Sequence, residues 1–139
     1  MATTTKIKAV FLGLAEVRLP LRLLPPERQP IVADLAYKAI TELECSDEEK
    51  AEIMISIGCI DAQYAMQEVT LEIIEEKCCL KRNEEVILRH KVRDVIFGKE
   101  LPNKTGNVIY ITRSENFGRA AVLLMMKKSE MVFEILTAL

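Results

Sequence analysis

The side chains whose types and spacing could do chemistry in this sequence are carboxylates. Glu48, Glu49 and Glu52 form one group, and Glu72 and Glu75 repeat its three-residue step after nineteen intervening residues. Acids three or four apart share one face of a helix. Two such faces turned toward each other could hold Mg²⁺ between carboxylates and the oxygens of a phosphate. A simpler reading competes with this. Ser46-x-x-Glu49 has the form of a capping box, so Glu48, Glu49 and Glu52 would complement a helix N-terminus. Glu72, Glu75 and Glu76 would then form a solvated face, and this simpler reading is preferred.

Written as motifs, the two groups are E-E-x-x-E and E-x-x-E. Together they resemble the acidic signature of the all-α nucleotide pyrophosphohydrolases, which pair E-E-x-x-E with a downstream E-x-x-D on facing helices. The resemblance covers about thirty residues. It implies Glu49, Glu52, Glu72 and Glu75 as Mg²⁺ ligands, with Glu75 standing where that family has an aspartate. His90 is flanked by bases in Leu88-Arg-His-Lys-Val, with Asp94 a few residues on. A general base needs an orienting acid and a substrate within reach, so a surface histidine on a basic face is the plainer expectation. Cys45, Cys59, Cys78 and Cys79 contain no C-x-x-C pair and read as reduced, packed thiols rather than zinc ligands. The five glycines stand alone, without a P-loop, a dinucleotide fingerprint or a nucleophile elbow. No cofactor and no enzymatic activity are therefore expected.

Charge is sorted along the chain. Residues 42–76 hold eleven acids and one base, a net of −10, and residues 77–128 hold twelve bases and five acids, a net of +7. Such sorting either joins two parts of the molecule or prepares one for a charged partner. The basic region 81–119, with Arg89, Lys91 and Arg93 at its centre, supports an alternative reading as a small nucleic-acid-binding regulator. A helix, a turn, a strand and a long apolar helix there would resemble a winged-helix module. Against it stand the interleaved acids, a pI near 5.6, and the −10 segment, expected to repel the same phosphates. Pairing of the acidic and basic segments, within a chain or across a dimer, is preferred.

The elements that must position these residues read as mostly helical. Ile7, Val10, Phe11, Leu14 and Val17 follow helical spacing over about 5–19. Prolines at 20, 25, 26 and 30 enforce an extended connector, and Pro30 opens a second helix with Val32, Leu35, Ala36, Ala39, Ile40 and Leu43 on its face. From Asp47 to Arg82 no proline interrupts, and apolar residues recur at three- and four-residue steps, which predicts one long helix or two collinear ones. Asn83 would cap another helix over 84–97 ended by Gly98, with a strand as the alternative because of its β-branched content. Asn107–Thr112 is the clear strand. Ser114 or Asn116 would start a last helix whose segment 120–126 is apolar all round and hence central.

The expected fold is thus mainly α: a single domain over 1–139, a compact bundle of five or six helices with a minor β element near 107–113. The expected function is a non-enzymatic helical protein-interaction module, an adaptor, assembly factor or regulator. It would act as a homo-oligomer through Leu124, Met125, Val132, Ile135 and Leu139, and would bind another protein. No run reaches the roughly 20 apolar residues of a membrane span, and no secretory layout opens the chain, so a cytoplasmic protein is expected.

Overall fold

Alternate residues near the start of the chain are buried. Ile7, Ala9 and Phe11 are at most 1% exposed, while Lys6 and Lys8 between them face solvent. That two-residue period is a strand, and the computed structural model shows one, β1, at Thr4–Val17. The structure describes residues 4–18, 25–42, 44–101, 106–115, 117–126 and 136. After β1 come a 3-10 turn (Pro26–Arg28), α1 (Gln29–Thr41) and α2 (Asp47–Ser56). Seven strands follow: β2 (Ile57–Asp61), β3 (Gln67–Ile74), β4 (Lys77–Arg82), β5 (Glu85–Lys91), β6 (Val95–Glu100), β7 (Asn107–Ser114) and β8 (Gly118–Met126). The strands pair antiparallel in the order β5-β4-β3-β1-β8-β7-β6, with β2 on the second half of β1. The helical bundle expected from the sequence is therefore replaced by a folded antiparallel sheet.

The β1 strand misleads because it carries a bulge. Its register against β8 shifts between Phe11 and Gly13, so Phe11 and Leu14 both enter the same core. The step from two residues to three imitates helical spacing. Gly13 has φ +149°, and a Cβ there would lie 2.7 Å from Cγ2 of Ile40. Glycine is what lets α1 lie down on β1.

Two cores result. One fills the space between the two halves of the sheet, from Ile7, Phe11 and Leu14 to Leu71, Leu80, Leu88, Tyr110, Val122 and Leu124. The other lies between the opposite face of β1, β7 and β8 and helix α1, and includes Ala15, Val32, Ala36, Ile109, Ile111, Ala121 and Leu123. Strands β7 and β8 are thus buried on both faces. This explains the continuous apolar run 120–126: a strand covered on both sides needs no polar face, and it has the same composition as a central helix. The sheet curls until β5 meets β7, joined by His90 Nε2 and the Tyr110 hydroxyl at 3.2 Å and by the Glu115 N–H donating to the Arg89 carbonyl at 2.8 Å.

The expected helix 47–82 survives as α2 alone. Beyond it, Val69 and Leu71, then Cys78 and Leu80, alternate with exposed or half-buried neighbours. Glu75 and Glu76 turn the chain with φ of 48° and 68°, the geometry of a two-residue hairpin, without the usual Asn-Gly. Asn83, read as a helix cap, has φ 54° at the β4–β5 turn. The strand alternative for 84–97 is the one observed, and Gly98 lies inside β6 rather than at a helix end. α1 is present with Val32, Leu35, Ala36 and Ile40 buried. The capping box is present too: Ser46 accepts from Glu49 N–H, and Glu49 accepts from Ser46 N–H, both at 3.1 Å. Among the described residues, no helix is long and apolar enough to cross a membrane.

Candidate functional site

The structure does not bring together the residues singled out for chemistry. Glu49 and Glu52 lie on α2, where Glu49 is held by the capping box and by Lys38, and Glu52 faces Arg28 at 3.8 Å. Glu72 is on the outer side of β3, 3.2 Å from Lys81, and Glu75 is in the β3–β4 turn. Two carboxylates on a helix and two on a distant hairpin cannot share one ion. Among the described residues, no three His, Cys, Asp or Glu side chains group to hold a metal. Glu72 and Glu75, which the hydrolase resemblance requires on a helix, lie instead on β3 and in the turn after it.

His90, expected on the surface, is 1% exposed. Its Nδ1 lies 3.0 Å from the Lys91 carbonyl, which can only accept, so Nδ1 carries the proton of the neutral ring. Nε2 is then free to accept from the Tyr110 hydroxyl. Burial lowers the His90 pKa, partly opposed by the Lys91 carbonyl and by the charge of Asp94. Burial likewise pushes the Tyr110 phenol up, so at neutral pH the pair is an uncharged link across the curled sheet.

Arg89 and Lys91 point outward from β5, and Arg93 follows in the short 3-10 turn Val92–Asp94. Leu124 and Met125, expected on an interface helix, are on β8. Leu124 is fully buried in the inner core and Met125 is half-buried. Val132, Ile135 and Leu139 lie outside the described residues.

What the fold does leave open is the edge of β6. This strand ends the sheet order, so alternate N–H and C=O groups on its outer side have no strand partner among the described residues. Its register with β7 shifts between Val95 and Phe97, a bulge at Ile96, which turns Val95 toward the inner core and Ile96 and Phe97 toward the outer one. Beside the edge lies an open cavity of about 240 Å³ lined by Val95, Ile96, Phe97, Gly98 and Leu136. Gly98 forms its floor: a Cβ there would touch Leu136 Cδ2 and Tyr110 Cβ, both at 3.4 Å. The strand is braced on its other side. Lys99 Nζ meets Asp34 Oδ1 of α1 at 2.7 Å, and Glu100 Oε2 accepts from the Gly106 N–H at 3.0 Å. Tyr110, paired with Gly98 in the ladder, connects this floor to His90.

An open, braced strand edge beside a cavity has the form of a groove for an extended chain: backbone groups along one wall, room for a side chain along the other. The sequence hid it. Val95, Ile96 and Phe97 fall at the end of the segment 84–97 read as a helix, and Leu136 approaches Gly98 only through the fold.

No protein-family model and no curated protein matches the sequence. Among solved structures, the fold is similar to that of the C-terminal phosphotyrosine interaction domain of APBB2 from mouse, determined in solution. The TM-score is 0.57 at 14% identity, covering 99% of this chain and 86% of that one. The shared feature is the fold, an antiparallel β-sandwich.

Proposed function

We propose that this protein is a non-enzymatic interaction module that takes an extended segment of a partner protein as an added strand on β6. One apolar side chain of that segment enters the cavity between Gly98 and Leu136. The observation that carries this reading is the β6 edge, unpaired among the described residues, lying against an open cavity lined by Val95, Ile96, Phe97, Gly98 and Leu136. Strand addition satisfies backbone groups that the sheet leaves open, while side-chain pockets supply selectivity. Support comes from the fold neighbour, whose name records an interaction with phosphotyrosine, and phosphotyrosine-binding domains are among those that bind by adding a strand.

An antiparallel addition would place the C-terminal end of the bound segment near Val95, the first residue of β6. The pocket before that end holds Lys77, Lys91 and Arg93 but also Glu75 and Glu76, so no phosphate is required by this reading. Nor is self-association, because Leu124, which suggested it, is spent inside β8. A short added segment buries less area than a standard interface of about 1,600 Å², so binding is transient.

The test is selection of 15-residue peptides on the immobilised protein, in phosphorylated and unphosphorylated libraries, followed by titration of the winners. Gly98→Val fills the cavity floor and should cost about 1–3 kcal/mol of binding, so affinity should drop about 5- to 150-fold. Selected peptides indifferent to Gly98→Val would refute the reading.

A further inference from the structure

The outer face of the β1–β3–β4–β5 wall carries a second, independent feature. Strand alternation that buries Ile7, Ala9, Val69, Leu71, Cys78, Leu80, Leu88 and His90 turns their neighbours outward, and six of these are cations: Lys6, Lys8, Lys77, Lys81, Arg89 and Lys91. The ladder arranges them in rows. Lys6 sits across from Glu72, which adjoins Cys79 and then Arg89; Lys8 sits across from Thr70, which adjoins Lys81; and Lys77 is directly opposite Lys91. Like charges facing each other across a strand pair destabilise it, and an anion between them would offset that cost. Glu68 and Glu72 are the acids on the strands of this face among the described residues, Glu72 is already engaged with Lys81, and Glu75 and Glu76 of the β3–β4 turn border Lys77 and Lys91. Lysines from β1, remote in sequence from the basic region, complete the array.

The fold carries the helical part of the acidic segment away from this face. Exposed Glu42, Glu44, Asp47 and Glu48 belong to the helical side, where α1 covers the other wall of the sandwich. Each packed layer adds about 10 Å, so roughly 20 Å separates the two surfaces. At physiological salt the Debye length is about 8 Å. The acids of the helical side therefore act independently of this face.

We propose that this face binds the phosphate backbone of a nucleic-acid strand without reading its sequence. Lys77 and Lys91 lie about 5 Å apart across one strand pair, and Lys6–Lys8 and Arg89–Lys91 about 7 Å apart along their strands, spacings close to the step of phosphates on a flexible strand. Among the described residues the strands of this face turn no aromatic side chain outward for base stacking, which removes one source of sequence preference. A lipid surface fits less well. Four strands accumulate a twist of about 60–75°, which a single strand can follow and a plane cannot.

The probe is a fluorescein-labelled 15-nucleotide oligo-dT, titrated by anisotropy at 50 and 150 mM NaCl. Binding should be micromolar at the lower salt, with log Kd rising about 2–4 units per decade of salt, the slope for roughly three to six phosphates. The triple variant Lys8→Gln, Lys77→Gln, Lys91→Gln, checked for an unchanged melting curve, should lower affinity about tenfold or more and flatten the slope by about 2. The matching Lys→Arg variant should retain binding, and Glu44→Gln with Glu48→Gln should change it less than about twofold. No binding at 50 mM, or an unchanged slope in the glutamine variant, would overturn the proposal. So would lysine-dependent capture of phosphatidylserine vesicles without capture of the oligonucleotide.

Discussion

Replacing Tyr110 by Phe tests the link that closes the sandwich. The hydroxyl is fully buried and donates to His90 Nε2, so its removal leaves a buried ring nitrogen without a donor. An unsatisfied buried acceptor costs about 1–3 kcal/mol. For a domain of this size each kcal/mol lowers Tm by about 3–5 °C, so a loss of about 3–15 °C is expected by circular dichroism. The same geometry sets a pH dependence. Burial depresses the folded-state pKa of His90 below its ordinary 6.5, so the unfolded chain binds a proton first. His90 then costs no stability above about pH 6.5, and stability falls with pH from there down to the folded pKa. The limiting slope is about 1.4 kcal/mol per pH unit. Glu49, also lowered, titrates below its ordinary 4.5 and stays outside this window. His90→Leu should flatten the Tm profile between pH 7 and 5. An identical slope in wild type and His90→Leu, or a Tyr110→Phe variant as stable as wild type, would refute this account of the seam.

Other perturbations separate equally well. Gly13→Ala puts a Cβ 2.7 Å from Ile40 in a backbone region hostile to L-residues, and should destabilise by about 1–3 kcal/mol in a urea titration. Ser46→Ala removes the capping box and should cost about 1 kcal/mol. Leu124→Ala empties a fully buried site on β8 and should cost about 2–5 kcal/mol, without changing the mass measured by light scattering.

Local signals were legible where one element decides them. Pro30 with the Val32–Ile40 face marked α1, Ser46 and Glu49 marked the start of α2, and Asn107–Thr112 marked β7. The remainder depended on neighbours. Ala120–Met126 has no polar face because β1 and β7 flank it and both sides are covered, so its composition could not tell strand from helix. The β1 pattern changes parity at Gly13, and the hairpin at Glu75–Glu76 lacks the glycine or asparagine that would announce it. The carboxylate groups at 48–52 and 72–75 looked related because one long helix or two collinear ones were expected over 47–82; β2 and a turn intervene instead, and Glu72 lies on β3. The groove is the least legible feature, since it exists only where β6 ends the sheet and Leu136 returns to Gly98.

The most direct measurement is amide hydrogen exchange along β6 with and without a selected 15-residue peptide. The outward amides of residues 95–100 should gain protection when peptide is added, with alternate residues slowing most, while β2 and the β3–β4 turn stay unchanged. Binding that leaves exchange along β6 unaltered, and protects another surface, would contradict strand addition at this edge.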